Sequence, residues 1–347
     1  MPPVVQREPG EAIEGDFLLG EGAEDSALLL WAFYRKVALW AAVRPDRRMN
    51  LFPPTAGTDE RKRIKEAGLD DRLRDALTDL AVLLQSPESV NADDVSAACL
   101  AIAHWAEEGT MHGSAFGFAH VAALAVPFQA PPAREAARLA MSWGRPERAE
   151  SWLRRAISVS RRFRDWTSYG KTYADLGQLY ARRAPLQAQR YCRKALKIAR
   201  RHNSPSVRAA TLQVLARMAI STADFSRAEE CLRLAMRVRG SGDGRTASLI
   251  TELAESWIRA GGHRHAMRVL RHLVRWRAGD EASVLALALL ARAAAGLQDE
   301  AVYRHAVAQA ESLIDSLPAI AVGRAKAHLA RAARARGVSG PVRAVEG

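Results

Sequence analysis

Histidines are the first side chains in this 347-residue sequence whose spacing invites a chemical interpretation. They fall in two sets, one of His104, His112 and His120, which are eight residues apart, and one of His263, His265 and His272. A zinc site needs three or four ligands in a defined geometry. No cysteine or carboxylate completes either set, so we expect no metal and no other cofactor.

Catalytic patterns are also missing from the sequence. It contains no GxxxxGK[ST], GxSxG or HExxH motif. The glycine-rich stretch 240–244 lies between two predicted helices, whereas a phosphate-binding loop follows a strand, so we expect a flexible linker. The three cysteines, Cys99, Cys192 and Cys231, form no CxxC pair and suit a reducing compartment, and Cys192 and Cys231 are interpreted as small packing residues. We therefore expect a cytoplasmic protein that is not an enzyme.

Charge divides the chain unevenly. Residues 1–144 contain 14 Lys and Arg against 21 Asp and Glu, whereas residues 145–347 contain 37 against 17. The net charges are −7 and +20, which sum to the overall +13. A basic half attracts nucleic acid, an anionic membrane surface or an acidic protein segment. The plainer alternative is that these arginines lie on solvated helix faces.

The elements that must position these charges are predicted to be helices, because aromatic residues make up only 6% of the chain and Ala, Leu and Arg dominate. We expect a disordered lead over residues 1–24, an N-terminal helical cap over 25–90 with long helices at 25–43 and 60–85, and a disordered tail over 337–347. The apolar first helix contains Arg35 and Lys36 and is short for a bilayer span. It is predicted to pack on the first repeat or to form a homodimer contact.

A repeat begins near residue 91. Its clearest unit is Tyr173-x2-Leu176-Gly177-x2-Tyr180, followed by Ala188-x3-Cys192-x2-Ala195. Two further copies follow, Leu212-x2-Leu215-Ala216-x2-Ala219 with Ala228-x3-Leu232-x2-Ala235, and Ile250-x2-Leu253-Ala254-x2-Trp257 with Ala266-x3-Leu270-x2-Leu273. Antiparallel helices approach closely only where small residues lie at the crossing. This pattern closely resembles the tetratricopeptide repeat (TPR).

The key alanine of each second helix sets the register of the repeat. It is assigned to Ala115, Ala149, Ala188, Ala228, Ala266 and Ala301. The resemblance covers residues 91–336 and implies an all-α, right-handed superhelical array of antiparallel helical hairpins. We expect about six hairpins and a final capping helix near 319–336, with spacings like those of degenerate bacterial arrays.

Function is inferred here from the resemblance. In TPR arrays the first helices line a concave groove, which implies a scaffold or adaptor that binds a protein or peptide carrying an acidic segment. The corresponding groove positions are Arg134, Arg138, Lys171, Gln178, Arg182, Gln213, Arg217 and Arg259. The alternative is a sensor or nucleic-acid-associated protein acting through its basic C-terminal half, with second-helix stripes such as Arg193 and Lys197 contacting phosphates.

Overall fold

A computed structural model describes residues 24–43, 47, 56–85, 91–239, 244–276, 281–314 and 319–336. All regular secondary structure in these ranges is helical. The chain forms two compact units, Met1–Arg183 and Ala184–Gly347. The predicted disordered ends, apart from Glu24, and residues 240–243 of the glycine-rich stretch lie outside the described residues.

The first unit contains eight helices within the described ranges. They are α1 (Glu24–Ala42), α2 (Ala56–Glu66), α3 (Asp71–Gln85), α4 (Ala92–Glu108), α5 (His112–Ala125), α6 (Ala130–Ser142), α7 (Pro146–Arg162) and α8 (Trp166–Tyr180). Helix α4 packs on α5, α6 packs on α7, and α5 and α7 each contact the helix that follows. No helix in the described parts of the chain is both long and apolar enough to cross a bilayer.

The second unit also contains eight described helices. They are α9 (Pro185–Arg201), α10 (Pro205–Ser221), α11 (Phe225–Arg239), α12 (Gly244–Arg259), α13 (His263–Trp276), α14 (Glu281–Leu297), α15 (Glu300–Ile314) and α16 (Ala319–Ala335). Helices α10 and α11, α12 and α13, and α14 and α15 pack as pairs, and α16 packs on α14. The predicted all-α class of stacked hairpins is confirmed, and the right-handed twist of the whole array stays a prediction.

The N-terminal helices differ from the prediction in one respect. The single helix expected over 60–85 is two helices, because Gly68 adopts a left-handed conformation with φ of +60°. Asp70 then precedes and caps α3, and its Oδ1 accepts a hydrogen bond from the Leu73 backbone N–H at 3.0 Å. Helix α1 lies against α5, where Tyr34 contacts Phe118 edge to face with ring centroids 6.2 Å apart.

Alanine side chains are fully buried at five of the six assigned positions, Ala115, Ala149, Ala188, Ala228 and Ala266. The assignment of Ala301 is wrong, because this residue is exposed. The backbone N–H of Ala228 donates to the Asp224 carbonyl at 3.1 Å, and in α15 the equivalent bond runs from Tyr303 to Asp299 at 3.0 Å. Tyr303 therefore occupies the alanine position in the last hairpin.

The loops between helices repeat one backbone turn. Besides the loop at Gly68, seven of them contain a residue with positive φ, namely Thr110, Gly144, Arg164, Asn203, Ala223, Gly261 and Gln298. The next residue donates its N–H to the carbonyl five positions earlier, as from Asp224 to Ala219 at 2.9 Å and from Gly262 to Trp257 at 2.7 Å. This is the Schellman ending of a helix, which satisfies carbonyls that the helix leaves unpaired. In five of the seven turns the residue with positive φ is not glycine.

Replacing Ala228 with Leu tests the buried crossings. We expect the free energy of unfolding to fall by about 1–3 kcal/mol, since the fully buried position has no room for three more carbon atoms. Urea unfolding measures the effect. Ala301→Leu is the matched control and should leave the stability within about 0.5 kcal/mol of wild type, because Ala301 is exposed. Equal losses in the two variants would contradict the corrected register.

The turns give a second prediction. Ala223 has φ of +58°, and a non-glycine residue in this region costs about 1–2 kcal/mol. Glycine removes that strain but loses about 0.5–1 kcal/mol to entropy, so Ala223→Gly should raise the free energy of unfolding by about 0.5–1 kcal/mol. Gly261→Ala, at φ of +79°, should lower it. Thermal melts that move in the opposite directions would disprove the account of the turn.

Candidate protein-binding surfaces

The first helices of the first unit are joined by ion pairs. On α6, Arg138 Nη2 donates to Glu107 Oε2 of α4 at 2.6 Å and to Glu135 Oε1 at 2.6 Å. His104 Nε2 of α4 lies 3.0 Å from the same Glu135 oxygen. Burial by itself raises the pKa of Glu135, but the bonds and positive charge of Arg138, and then of His104, outweigh it and hold the pKa below its usual range.

Arg134 makes the corresponding link from α6 to α8. Its Nε lies 2.7 Å from Asp175 Oδ2, and the two side chains are only 22% and 19% exposed. Arg134 and Arg138 thus hold α4, α6 and α8 together. This corrects the prediction that both guanidinium groups are available to the carboxylates of a partner.

Gln213 is also unavailable to a partner, because its side chain is buried. It is only 4% exposed, and its Nε2 donates to Thr246 Oγ1 of α12 at 2.9 Å. The sequence pattern placed Gln213 on an accessible face, but this side chain is consumed in packing α10 against α12. Arg217 lies nearby, with its Nε 3.9 Å from Glu252 Oε2 and both side chains nearly half exposed.

The other predicted groove residues remain accessible in different degrees. Lys171 and Gln178 are half-buried on α8, and Arg182 is exposed just after it. Arg259 is exposed at the end of α12, where its Nη2 donates to Ser256 Oγ at 3.3 Å. The first three residues belong to the first unit and Arg259 to the second. A single groove running past all of them stays a prediction.

His120 and the three cysteines are packing groups, whereas His104, His265 and His272 are exposed. His120 is buried, its ring lies 5.3 Å from that of Trp152, and its Nδ1 has no hydrogen-bond partner. Burial, together with the charges of Arg148 and Arg155, lowers its pKa to about 4. All three cysteines are free and buried. Within the described ranges, no group of three or more His, Cys, Asp or Glu residues is arranged to hold a metal ion.

Helix α13 presents a surface that was missed in the sequence interpretation. Arg264, Arg268, Arg271 and Arg275 follow one another at intervals of four, three and four residues and are all exposed. This spacing keeps them on one face across three helical turns, and we call them the α13 arginine ridge. The opposite face packs through the buried Ala266, Leu270 and Leu273. The sequence signal for this surface was the alternation of arginines with apolar residues in α13, HRHAMRVLRHLVRW.

Two cavities flank the ridge. The α11/α13 groove has a volume of about 540 Å³, with α11 and α13 as walls and Ile250 and Leu253 of α12 in its lining. Leu232, Met236, Met267 and Val269 complete its apolar part. The second cavity, between α13 and α15, has a volume of about 1000 Å³ and is also lined by Arg271 and Arg275. Cationic groups and aliphatic side chains therefore share one concave surface.

The charges at the α11/α13 groove are only partly balanced. Arg268 Nη2 lies 3.0 Å from both carboxylate oxygens of Glu229, and Arg271 Nη2 lies 4.0 Å from Asp299 Oδ2. No carboxylate among the described residues pairs with the three remaining lining arginines, Arg233, Arg264 and Arg275. The groove therefore carries unneutralised positive charge beside an apolar floor.

Comparison with known proteins supplies solved structures only. A kinesin light chain with nearly identical TPR-like repeats from Podosopora anserina matches at 18% identity, with 54% of this chain and 95% of that chain covered and a TM-score of 0.42. PilF of Pseudomonas aeruginosa matches at 14% identity, with 68% and 98% covered and a TM-score of 0.42. Cut9 of the APC/C Cut9–Hcn1 hetero-tetramer matches at 14% identity, with 92% and 58% covered and a TM-score of 0.46.

No family model and no curated protein matches the chain. The chain has a TPR-like helical-repeat fold. This fold is established by the contacts between its own helices. The structural alignments do not establish it, because their identities are 18% or less and their TM-scores are below 0.5. Its binding surfaces must therefore be argued from its own residues.

The ion pairs of α6 generate a stability prediction. Arg138→Met leaves two half-buried carboxylates without their partner, and we expect the free energy of unfolding at about pH 7 to fall by about 2–3 kcal/mol. Arg154→Met is the control. Arg154 is 75% exposed and pairs with Glu150 on the same helix, so its loss should cost less than about 0.5 kcal/mol.

The effect of Arg138→Met should depend on pH in one direction. The pKa of Glu135 is depressed in the folded chain. The pairing of Glu135 therefore stabilises the fold above the pKa that Glu135 has in the unfolded chain, and this stabilisation is lost as the pH falls through its pKa in the folded chain. The difference between Arg138→Met and wild type should therefore shrink on acidification to about pH 3. Urea unfolding at both pH values measures it, and a difference that grows in acid would contradict the proposed pairing.

Proposed function

We propose that this chain is a protein-binding scaffold that recognises an acidic segment of its partner through the second-helix face of its second unit. The α13 arginine ridge beside the α11/α13 groove is the observation that supports it. Arg–carboxylate contacts are forked, charge-assisted hydrogen bonds. Arg264 and Arg275 are exposed and lack acidic partners among the described residues, so a partner can use both without breaking an internal ion pair.

The second-helix face is a better candidate than the first-helix groove for a physical reason. Arg134 and Arg138 would have to leave Asp175, Glu107 and Glu135 before meeting a partner. Breaking a half-buried ion pair leaves a carboxylate uncompensated, and that cost is subtracted from the binding energy. Two of the four ridge arginines, Arg264 and Arg275, have no ion pair to break among the described residues and carry no such cost.

Protein is a better fit than nucleic acid at this surface. Binding to single-stranded nucleic acid combines cations with aromatic platforms for the bases. Among the lining residues that the structure describes, the imidazole of His272 is the one aromatic ring, and the apolar part is aliphatic. A partner segment that carries carboxylates beside aliphatic side chains matches both the arginines and the aliphatic lining of the groove. The proposal assigns the chain no catalytic step and no cofactor, and the free, buried cysteines suit a reducing cytoplasm.

Charge reversal on the ridge tests the proposal. The double variant Arg264→Glu with Arg275→Glu should weaken binding of a fluorescein-labelled, glutamate-rich peptide by about tenfold or more, since tenfold corresponds to about 1.4 kcal/mol. The control, Arg193→Glu with Lys197→Glu, makes the same charge change at exposed positions of α9. It should change the affinity by less than about threefold. Fluorescence anisotropy measures both, and circular dichroism checks folding.

Three outcomes would overturn the proposal. Equal weakening by the ridge and α9 variants would show attraction to net charge alone. Tighter binding of a single-stranded RNA oligonucleotide than of the peptide, with an affinity that falls steeply as salt rises, would favour the nucleic-acid alternative. The first-helix variant Arg182→Glu with Arg217→Glu completes the set. Loss of peptide binding in that variant alone would return the site to the first helices.

A further inference from the structure

We propose that the α11/α13 groove takes its partner segment as an α-helix that carries an aliphatic stripe between glutamate or aspartate side chains. This inference rests on the proposed function and specifies the form of the ligand. The groove has helices as its two walls and side chains of a third helix, Ile250 and Leu253 of α12, in its lining. A fourth helix laid between α11 and α13 would extend the packing that already holds the unit together.

The length of the groove supports this occupant. Its lining residues on α13 extend from Arg264 to Arg275. At 1.5 Å per residue these eleven steps span about 16 Å, or about three helical turns. Three turns of a bound helix present apolar side chains at i, i+3 or i+4, and i+7 on one face. The groove thus matches the repeat of an amphipathic helix rather than a single side chain.

Backbone hydrogen bonding argues against an extended segment. A strand that binds to a protein normally adds to a sheet edge, whose free N–H and C=O groups pair with its own. The walls here are helices, and their backbone groups are consumed in internal i to i+4 bonds. An extended segment would lay its own polar backbone against the half-buried Met236 and Val269 without partners, which is costly. A helix satisfies its backbone internally and presents only side chains.

The side chains of the groove favour aliphatic contacts of variable shape. Met236 and Val269 are half-buried, and Met267 is 8% exposed. Methionine is flexible and polarizable, so it adapts to leucine, isoleucine or methionine on a partner. Arg233 on the α11 wall and Arg264 and Arg275 on the α13 wall place cations on both sides of this floor. Carboxylates flanking the stripe of the bound helix meet these three arginines.

An anionic membrane surface fits this groove poorly. A bilayer is flat on the scale of a 540 Å³ groove and cannot fill the concave floor. Peripheral membrane proteins insert exposed apolar side chains. The large apolar residues that are exposed in the described chain, Leu28, Leu39, Val82, Phe128, Phe163 and Leu186, all lie outside the groove lining.

The experiment compares two synthetic peptides of identical composition. Both have 18 residues drawn from Leu, Glu, Ala and Gln, with the same number of each residue type in the two peptides. One places Leu at i, i+3, i+4 and i+7 repeats, and the other scrambles the order so that no helical face is apolar. With the full-length protein, the striped peptide should bind at least about tenfold more tightly. Its helical circular dichroism signal should also rise on binding.

Groove variants locate the binding. Met236→Gln with Val269→Gln keeps every charge and should reduce the advantage of the striped peptide to less than about threefold. Leu186→Gln is the control, since Leu186 is 73% exposed on α9, and it should leave the affinities unchanged. Because Met236 and Val269 both pack partly against the core, the single variant Met236→Gln is measured as well, and its thermal melt is compared with that of wild type. It should lose a smaller part of the advantage.

The outcomes separate this inference from the proposed function. If both peptides bind equally and the ridge variant Arg264→Glu with Arg275→Glu abolishes both, the helix is wrong and the acidic-segment scaffold stands. If neither peptide binds, both proposals fail. The proposed occupant is also wrong if the groove variants leave the affinity for the striped peptide unchanged. It is equally wrong if the protein binds phosphatidylglycerol vesicles but neither peptide, and the groove variants abolish that vesicle binding.

Discussion

Close approach of antiparallel helices at small, fully buried side chains is the constraint on which this structure depends. At Ala228 and Ala266 nothing larger than a methyl group lies at the crossing, so neighbouring leucines can close around it. A single hairpin cannot bury its own apolar face. Each must therefore stack on the next, and the faces that remain in water are free to carry arginine.

Much of this architecture could be predicted from local sequence. Five key alanines were found because each lies four residues after a turn and is followed by apolar residues at helical spacing. The sixth assignment, Ala301, was wrong because α15 contains several alanines. The backbone turn at Asp299 shows that Tyr303 occupies the position equivalent to the key alanine. The break between α2 and α3 was marked by Gly68 and Asp70, but the leucine periodicity on either side concealed it.

The proposed binding surface was less accessible to sequence reasoning, since it depends on which charges neutralise one another. Arg138 and Glu107 are 31 residues apart in the sequence, yet they are paired between α6 and α4. Position in the repeat cannot distinguish such a paired arginine from an exposed one such as Arg264. The spacing of the α13 arginine ridge was visible in the sequence. Its cavities were not, because they depend on side chains that α11, α12 and α15 bring to α13.

The central claim is that partner recognition lies on the second-helix face of the second unit, and amide hydrogen exchange tests it most directly. The exchange of the full-length chain would be followed by mass spectrometry with and without the striped acidic peptide at saturation. We expect added protection concentrated in α11 (Phe225–Arg239) and α13 (His263–Trp276). Added protection in α8, α10 and α12, with α11 and α13 unchanged, would contradict the claim and favour the first-helix groove.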